Sequence, residues 1–287
     1  MIYLDHNATA PLLPEVLEAM LPWLRGVSGN ASSLHAVGRR AKEAVEAARV
    51  DVGALVGGDP AGVHFCSGGT EADVWALRNA FPEPAVGGSM IISAVEHPAV
   101  RNTAAALAAE GVLVREIDVD SNGRLRPFEM GLGTGLVAVM AANNETGNLH
   151  PVAEITKEAA KLGAWMHSDL VQAAGKVPVN VDGWGLTTAA LSAHKLGGPQ
   201  GVGALWVRPG TRLAPMITGG GQEGGARSGT ENVAGIVGFG AAARRALLVL
   251  DEQRIRLGRL RDEMSRRITA AVPGTQQLGD PQARLPN

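Results

Sequence analysis

Ser192-Ala-His-Lys195-Leu-Gly-Gly-Pro-Gln-Gly201 follows directly on an apolar run, Leu186 to Leu191. That places one lysine in a turn at the end of a predicted strand, among small and polar neighbours. A lysine amine at its free pKa of about 10.4 is a poor nucleophile. Where its charge is disfavoured, it becomes an amine able to form a Schiff base. Taken alone, the stretch is more often a surface lysine in a glycine-rich loop. The rest of the chain reverses that reading.

Short apolar runs alternate with helical patterns along the chain. The runs predict strands at Val63 to Cys66, Met90 to Ser93, Val112 to Ile117, Leu136 to Ala141, Ala164 to Ser168, Thr188 to Ser192 and Val202 to Val207. Helices are expected over Leu34 to Val56, with Ser33 as N-cap and Gly57 just past the end, and over Glu71 to Ala80, Ala99 to Ala109 and Val152 to Leu162. Such alternation predicts an α/β fold built on a mainly parallel seven-stranded sheet with flanking helices. Gly219 to Gly229 reads as an ordered loop, because it carries Gln, Glu, Arg and Ser. A long helical region follows from about Asn232 to Val272. Its mixed charges between Asp251 and Arg267 read as a solvated helix face.

Composition sets wider bounds. The chain has 287 residues, 45% of them hydrophobic, and a formal net charge of -2. This suits a soluble globular protein with a sizeable core. Without a basic surplus, charge gives no reason to expect nucleic acid or an anionic membrane as partner. The start, Met-Ile-Tyr-Leu-Asp-His-Asn, lacks the features of a secretory signal, and no uninterrupted apolar run reaches the roughly 20 residues needed to span a bilayer. The one cysteine, Cys66, excludes an internal disulfide or a multi-cysteine zinc site. The expected location is the cytoplasm.

The unusual polar clusters lie just after predicted strands: Ser67-Gly-Gly-Thr-Glu71, Glu96-His-Pro98, Asn143-Asn-Glu-Thr-Gly147, Asp169 to Gln172, and His194-Lys195. In open α/β sheets ligands bind at the carboxyl ends of the strands, so a parallel sheet would bring these clusters to one pocket. Ser67 to Glu71 is a glycine-rich turn opening a helix, suited to a phosphate, although the plain strand-to-helix turn stays open. It lacks the ending of a Walker A loop. Gly131-Leu-Gly-Thr-Gly135 precedes a strand instead of following one, which rejects a Rossmann nucleotide site. His97 alone reads as a satisfied histidine, and Asp169 alone as a turn residue. Together, an amine, a phosphate cradle, an aspartate and an imidazole are what pyridoxal 5′-phosphate requires.

At this point the chain resembles the cysteine desulfurases, in the class V group of pyridoxal-phosphate enzymes with the aspartate aminotransferase fold. The matching stretches are YLDHNATAP, GNASSLHAVGR from Gly29, HFCSGGTEAD from His64, SAVEHPAV from Ser93, NNETG from Asn143, HSDLVQAAGKVPVN from His167, SAHKLGGPQGVGALWV from Ser192 and GGGQEGGARSGTEN from Gly219. The resemblance implies that Lys195 is the Schiff-base lysine, Asp169 the partner of the pyridine nitrogen and Gln172 the donor to the ring hydroxyl. It implies that His97 stacks on the ring, and that Thr70, Ser192 and His194, with the Gly69 backbone, hold the phosphate. Thr230 would reach the phosphate of a neighbouring subunit, which implies a homodimer. Asn144 would contact cofactor and substrate carboxylate, and Asn30 would border the substrate.

The resemblance also implies domains: residues 1–15 an arm contributing to the small domain, 16–250 the large cofactor domain, and 251–287 the start of a small α+β C-terminal domain. The family continues for roughly another hundred residues, and that part carries a mobile loop with the cysteine that attacks the substrate sulfur. Alanine stands at Ala31 and Ala10 where the family often has Pro and Thr. Cys66, at a strand end, reads as a buried bland thiol. The implied reaction takes L-cysteine to L-alanine and passes sulfur to an acceptor or scaffold protein as persulfide, for iron–sulfur or thio-cofactor assembly. The alternatives are a selenocysteine lyase or another class V lyase or aminotransferase, or a truncated cofactor-binding chain of impaired activity.

Overall fold

A computed structural model describes residues 2–26, 29–81 and 88–287. One sheet organises them. Its strands are β1 (Val63–Cys66), β2 (Ser89–Ser93), β3 (Leu113–Ile117), β4 (Thr134–Ala138), β5 (Trp165–Asp169), β6 (Thr188–Ser192) and β7 (Gly203–Val207), in the spatial order β1-β7-β6-β5-β4-β2-β3. β7 is antiparallel to both its neighbours and every other pairing is parallel. The six remaining strands therefore end at one edge. The reversal of β7 has a simple cause. Only residues 193–202 separate it from β6, too few for the crossover that a parallel return needs.

The strands follow the predicted runs within one or two residues, except that β4 is assigned only to Ala138. Its main chain continues to bond β5 beyond that point, through Val139 N to His167 O and Ala141 N to Asp169 O, which is why the apolar run reads on to Ala141. The alternation of side chains sorts the core into two layers. Ile91, Val137, Met166, Ala189 and Trp206 face one layer, and Met90, Ile92, Leu136, Ala138, Ala190 and Leu205 face the other. The indole N–H groups of the buried Trp75 and Trp206 donate to Ala214 O and Asp59 O at 3.0 and 3.1 Å, which satisfies the one polar atom of each ring.

The helices are α1 (Pro14–Arg25), α2 (Ala36–Val56), α3 (Gly69–Ala80), α4 (Pro98–Ala109), α5 (Val152–Lys161), the short α6 (Val181–Trp184) and α7 (Val233–Ala271). Gly57 caps α2 as expected, but the N-cap is His35 and not Ser33. His35 Nδ1 accepts from Gly38 N, whereas Ser33 belongs to a separate turn in which its N–H bonds Asn30 O. Neither α1 nor α6 is in the sequence reading. α1 opens with Pro14 and Glu15, but its N-cap, Leu13, makes no side-chain bond and a proline, Pro22, lies inside it, so it lacks a capping side chain and carries a breaker.

α7 runs unbroken through residues 250 and 251. An 18-residue window within it has a mean hydropathy of 1.7, enough by length and composition to cross a membrane. In this fold that half is a core helix: Ile236, Phe239, Ala242 and Ala243 are buried, and the Phe239 ring meets Phe65 edge-on at 6.3 Å. Beyond Ala243 the helix is largely solvated, with ion pairs such as Glu263 with Arg266 and Arg267, as its mixed charges predict. At the chain's end, Leu285 is fully buried and its N–H bonds Gly147 O at 2.8 Å, so residues 283–285 lie against the turn after β4.

The glycine-rich loop 219–229 is pinned to the edge strand. Glu223 Oε2 accepts from Phe65 N at 2.9 Å and from Arg49 Nη1 at 2.8 Å. The Glu223 side chain thereby satisfies a free N–H of β1 and closes a sheet edge. Removing it leaves Arg49 with Glu46 as its carboxylate partner and the Phe65 N–H unpaired, a loss on the order of 1–3 kcal/mol. Glu223→Ala is expected to lower the urea midpoint accordingly, with the m-value unchanged. A variant as stable as the parent would show that the pair does not hold the edge.

Candidate active site

The strand ends converge as the topology requires. A cavity of about 360 Å³ lies where β1, β2, β4, β5 and β6 end, and Gly69, Thr70, His97, Asn144, Asp169, Gln172, Ser192, His194 and Lys195 all line it. Two expected residues do not. Thr230 is exposed in a separate groove beside Cys66 and Arg227. Asn30 is exposed, and its Oδ1 accepts from Ser32 N at 2.8 Å, so the side chain serves its own turn.

The lysine turn is roofed by the N-terminal arm. Lys195 Nζ donates to the main-chain oxygens of Asn7 and Ala8, the latter at 2.7 Å. Ala10 N bonds His194 O, and Leu13 N bonds Gly197 O, both at 2.9 Å. Gly197 has φ +77°, and a Cβ there would stand 2.6 Å from Leu13, so only glycine allows the arm this close. Burial lowers the Lys195 amine below its ordinary pKa, and Asp169 and Asp5 partly oppose that shift. His194 Nδ1 lies 3.0 Å from Thr9 Oγ1. Burial and the Lys195 charge pull that imidazole down as well.

The start of α3 forms one wall. Glu71 Oε2 accepts from Ser67 N at 2.8 Å, and Glu71 also pairs with Arg227, which fixes the turn. The N–H groups of Gly69 and Thr70 have no acceptor among the described residues. A Cβ on Gly69 would meet Val171 at 2.8 Å, so this helix start is open to the cavity only because residue 69 has no side chain. Unpaired N–H groups at a helix N-terminus suit an anion.

Acids crowd the floor. Burial raises the Asp169 carboxyl to about 7, with the nearby Asp73 adding to the shift. Asp169 Oδ1 accepts from Val171 N at 2.8 Å. Beneath it, the fully buried Asp73 and His167 meet at 3.0 Å, and His167 Nδ1 lies 2.9 Å from Thr188 Oγ1. Burial drives His167 down to about 4 and Asp73 well above its ordinary value, so the pair avoids a net charge. Glu96 is held by Ser93 and by Met140 N, and burial raises it too. His97 is the N-cap of α4: its Nδ1 accepts from Ala99 N at 3.1 Å. A neutral His97 therefore carries its proton on Nε2.

Several residues here are absent from the sequence reading. Asn7 bonds Asn144 O through Nδ2 at 3.1 Å, and its own main-chain oxygen accepts from Gln172 Nε2 at 2.9 Å. Asp73 and Lys176 also belong to the site. The repeated asparagines of NNETG divide their work. Asn143 is buried, and its Oδ1 accepts from Glu145 N and Thr146 N, shaping the turn that presents Asn144. The one available signal for Asn7 was its place in the polar run Asp5-His-Asn7.

A family profile, aminotransferase class V, matches residues 2–287. The chain is 47% identical over 292 residues to a cysteine desulfurase of Cereibacter sphaeroides, covering all of this chain and 75% of that protein. It is 41% identical over 291 residues to the cysteine desulfurase NifS of Azotobacter vinelandii, covering 72% of it. The chain belongs to the class V aminotransferase family, among its cysteine desulfurases. A solved NifS-like protein superposes with a TM-score of 0.95 at 35% identity, over the whole of this chain and 80% of its own. A second structure, SspA in complex with cysteine, superposes with a TM-score of 0.81 at 32% identity, over 85% of this chain and 72% of its own.

Enzymes of this family use pyridoxal phosphate, and the cavity fits that group. It offers an amine with a lowered pKa, a helix start with unpaired N–H groups, and a buried carboxyl whose charge lacks a cationic partner. The carboxyl gives a test of sign. Asp169 holds its proton more tightly in the fold than in the unfolded chain, so its contribution to stability is present below pH about 4. That contribution is lost as pH rises through about 7. In the cofactor-free protein, Asp169→Asn is expected to raise Tm at pH 8 by at least about 3 °C and to change it little at pH 4. The same substitution should weaken cofactor binding. Equal effects on Tm at both pH values would show that Asp169 is charged without penalty.

Proposed function

We propose that this chain binds pyridoxal 5′-phosphate in the cavity and converts L-cysteine to L-alanine, passing the sulfur to a thiol of an acceptor protein. Cysteine and the acceptor thiol then give alanine and a persulfide, with atoms and electrons in balance. The acceptor would be a scaffold or carrier in iron–sulfur or thio-cofactor assembly, a reading supported by relatives named NifS and IscS. The observation that carries the proposal is one juxtaposition: the Lys195 amine, the open start of α3 and the Asp169 carboxyl border a single cavity.

Pyridoxal phosphate, when bound, supplies an electron sink for the pair released at the substrate Cα. The N–H groups of Gly69 and Thr70, the Thr70 and Ser192 hydroxyls and His194 would hold its phosphate. Asp169 would accept from its pyridine nitrogen, Gln172 Nε2 would donate to its ring hydroxyl, and His97 would border its ring. Lys195 Nζ would anchor the cofactor and then carry the Cα proton, a role its lowered pKa supports. His97 Nε2–H would act as a proton donor toward the departing sulfur. Asn144 would orient the substrate carboxylate. Thr230, exposed and outside its own cavity, would serve a second copy in a homodimer, and Asn30 would border the substrate only after its loop moves.

The sulfur acceptor lies outside this cavity. Cys66 is the chain's one cysteine. It lines the Thr230 groove, and burial pushes its thiol up to about 12, so almost no thiolate forms at neutral pH. Cys66→Ser is expected to change alanine formation in the presence of an added thiol by less than about twofold. A tenfold loss would give Cys66 the acceptor role instead. Lys195→Ala should abolish the cofactor mass that borohydride fixes to the protein, and retention of that mass would overturn the assignment of Lys195.

A further inference from the structure

Lys176 lies four residues beyond Gln172, on the turns that leave β5. The bonds Ala174 N to Leu170 O and Val177 N to Ala173 O, at 2.9 and 3.0 Å, wind this segment helically and bring residues 172 and 176 together. Lys176 Nζ donates to Gln172 Oε1 at 2.5 Å and to Asn7 Oδ1 at 2.8 Å. Among the described residues no carboxylate lies in ion-pair range of it. Amide oxygens alone therefore hold the ammonium, and burial, together with the Lys195 charge, lowers it to about 8. Keeping a cation there is costly, and the Gln172 amide offers a reason for it.

The two ends of an amide have nearly the same shape, and only their hydrogen-bond partners tell them apart. Gln172 Oε1 faces the ammonium, and Nε2 donates to Asn7 O at 2.9 Å. Turning the amide over would set N–H against an ammonium and oxygen against a carbonyl oxygen. Nε2 has two hydrogens. One goes to Asn7, and the other is free for the cavity that Gln172 lines.

We infer that Lys176 is a positioning residue whose ammonium sets the polarity of the Gln172 amide, so that residue 172 presents a donor to the cavity. The same ammonium, through Asn7 Oδ1, holds the arm that roofs Lys195. The inference rests on the cofactor reading above, in which the donor meets the oxygen of the ring hydroxyl. With an uncharged, donor-free side chain at 176, the amide keeps only the Asn7 O contact to orient it, and the weakened bias lets it present an oxygen for part of the time.

The test is a double-mutant cycle in the cofactor-loaded protein, read by cofactor dissociation constant and visible absorbance spectrum. Lys176→Met is expected to raise the dissociation constant about tenfold, the scale of a hydrogen bond to a charged group, and to shift the spectrum. In a Gln172→Ala background the same substitution should cost far less, because the amide it orients is gone and only its bond to Asn7 Oδ1 remains to be lost. Lys176→Arg, which keeps the charged donor, should stay within about twofold of the parent. Additive effects in the cycle, or an unchanged constant and spectrum in Lys176→Met, would overturn the inference. If Lys176→Met does not fold, Lys176→Gln makes the same comparison, with a smaller effect that again shrinks beside Gln172→Ala. Failure of the cofactor reading is distinct: the unaltered chain would then show no saturable cofactor spectrum.

Discussion

An amine held by main-chain oxygens, with no carboxylate bonded to it among the described residues, is the contact around which this site is built. Lys195 Nζ donates to Asn7 O and Ala8 O. Carbonyl oxygens satisfy the N–H groups of an ammonium without a full countercharge, so the amine stays able to lose its proton. The contact joins residues 188 positions apart. It requires the arm to lie over the Lys195 turn, and Gly197 allows that approach. Asn7 accepts from Gln172 and Lys176 and donates to Asn144 O, which brings the other walls to the same point.

The acids beneath the lysine set the electrostatic character of the cavity. Asp73, Glu96 and Asp169 are all buried and all hold their protons more tightly than free carboxyls. Asp73 shares its site with a histidine that burial keeps neutral, whereas the Asp169 carboxyl, which also lines the cavity, is bonded to a main-chain N–H, that of Val171. A cationic nitrogen placed against it would restore its charge and remove the penalty. The same buried pair ties α3, through Asp73, to β5 and β6, through His167 and Thr188. The open start of α3 and the carboxyl floor are thus fixed to one another.

Much of this was legible in the chain. The seven runs became seven strands: six are short, largely buried blocks bounded by turns, and the edge strand β3, though mostly exposed, keeps β-branched Val114 and Ile117. The clusters after those runs reached one cavity, because six of the strands end at the same edge. Local signals also misled or ran out. Ser33 looked like a helix cap, yet His35 took that place once the Asn30 turn claimed the preceding residues. α1 has no capping side chain and contains Pro22; it forms against α7, with Val16 fully buried and Met20 packed beside Gly238. Thr230 and Asn30 carried the motif but lie outside the cavity, since a motif records residue order and not where the fold places each residue.

Residue order settled the strands, the turn chemistry at their ends and the identity of the reactive groups, because each depends on neighbours within a few positions. Folding settled which partners those groups found. Glu223 closes an edge strand 158 residues away, and Lys176 reaches Asn7 across 169 residues. Nothing in either local pattern announces the other end of such a bond. Hydrogen bonds between distant residues exist only where the packed apolar layers bring their two ends together, and the buried polar atoms must be satisfied by whatever that packing places within reach.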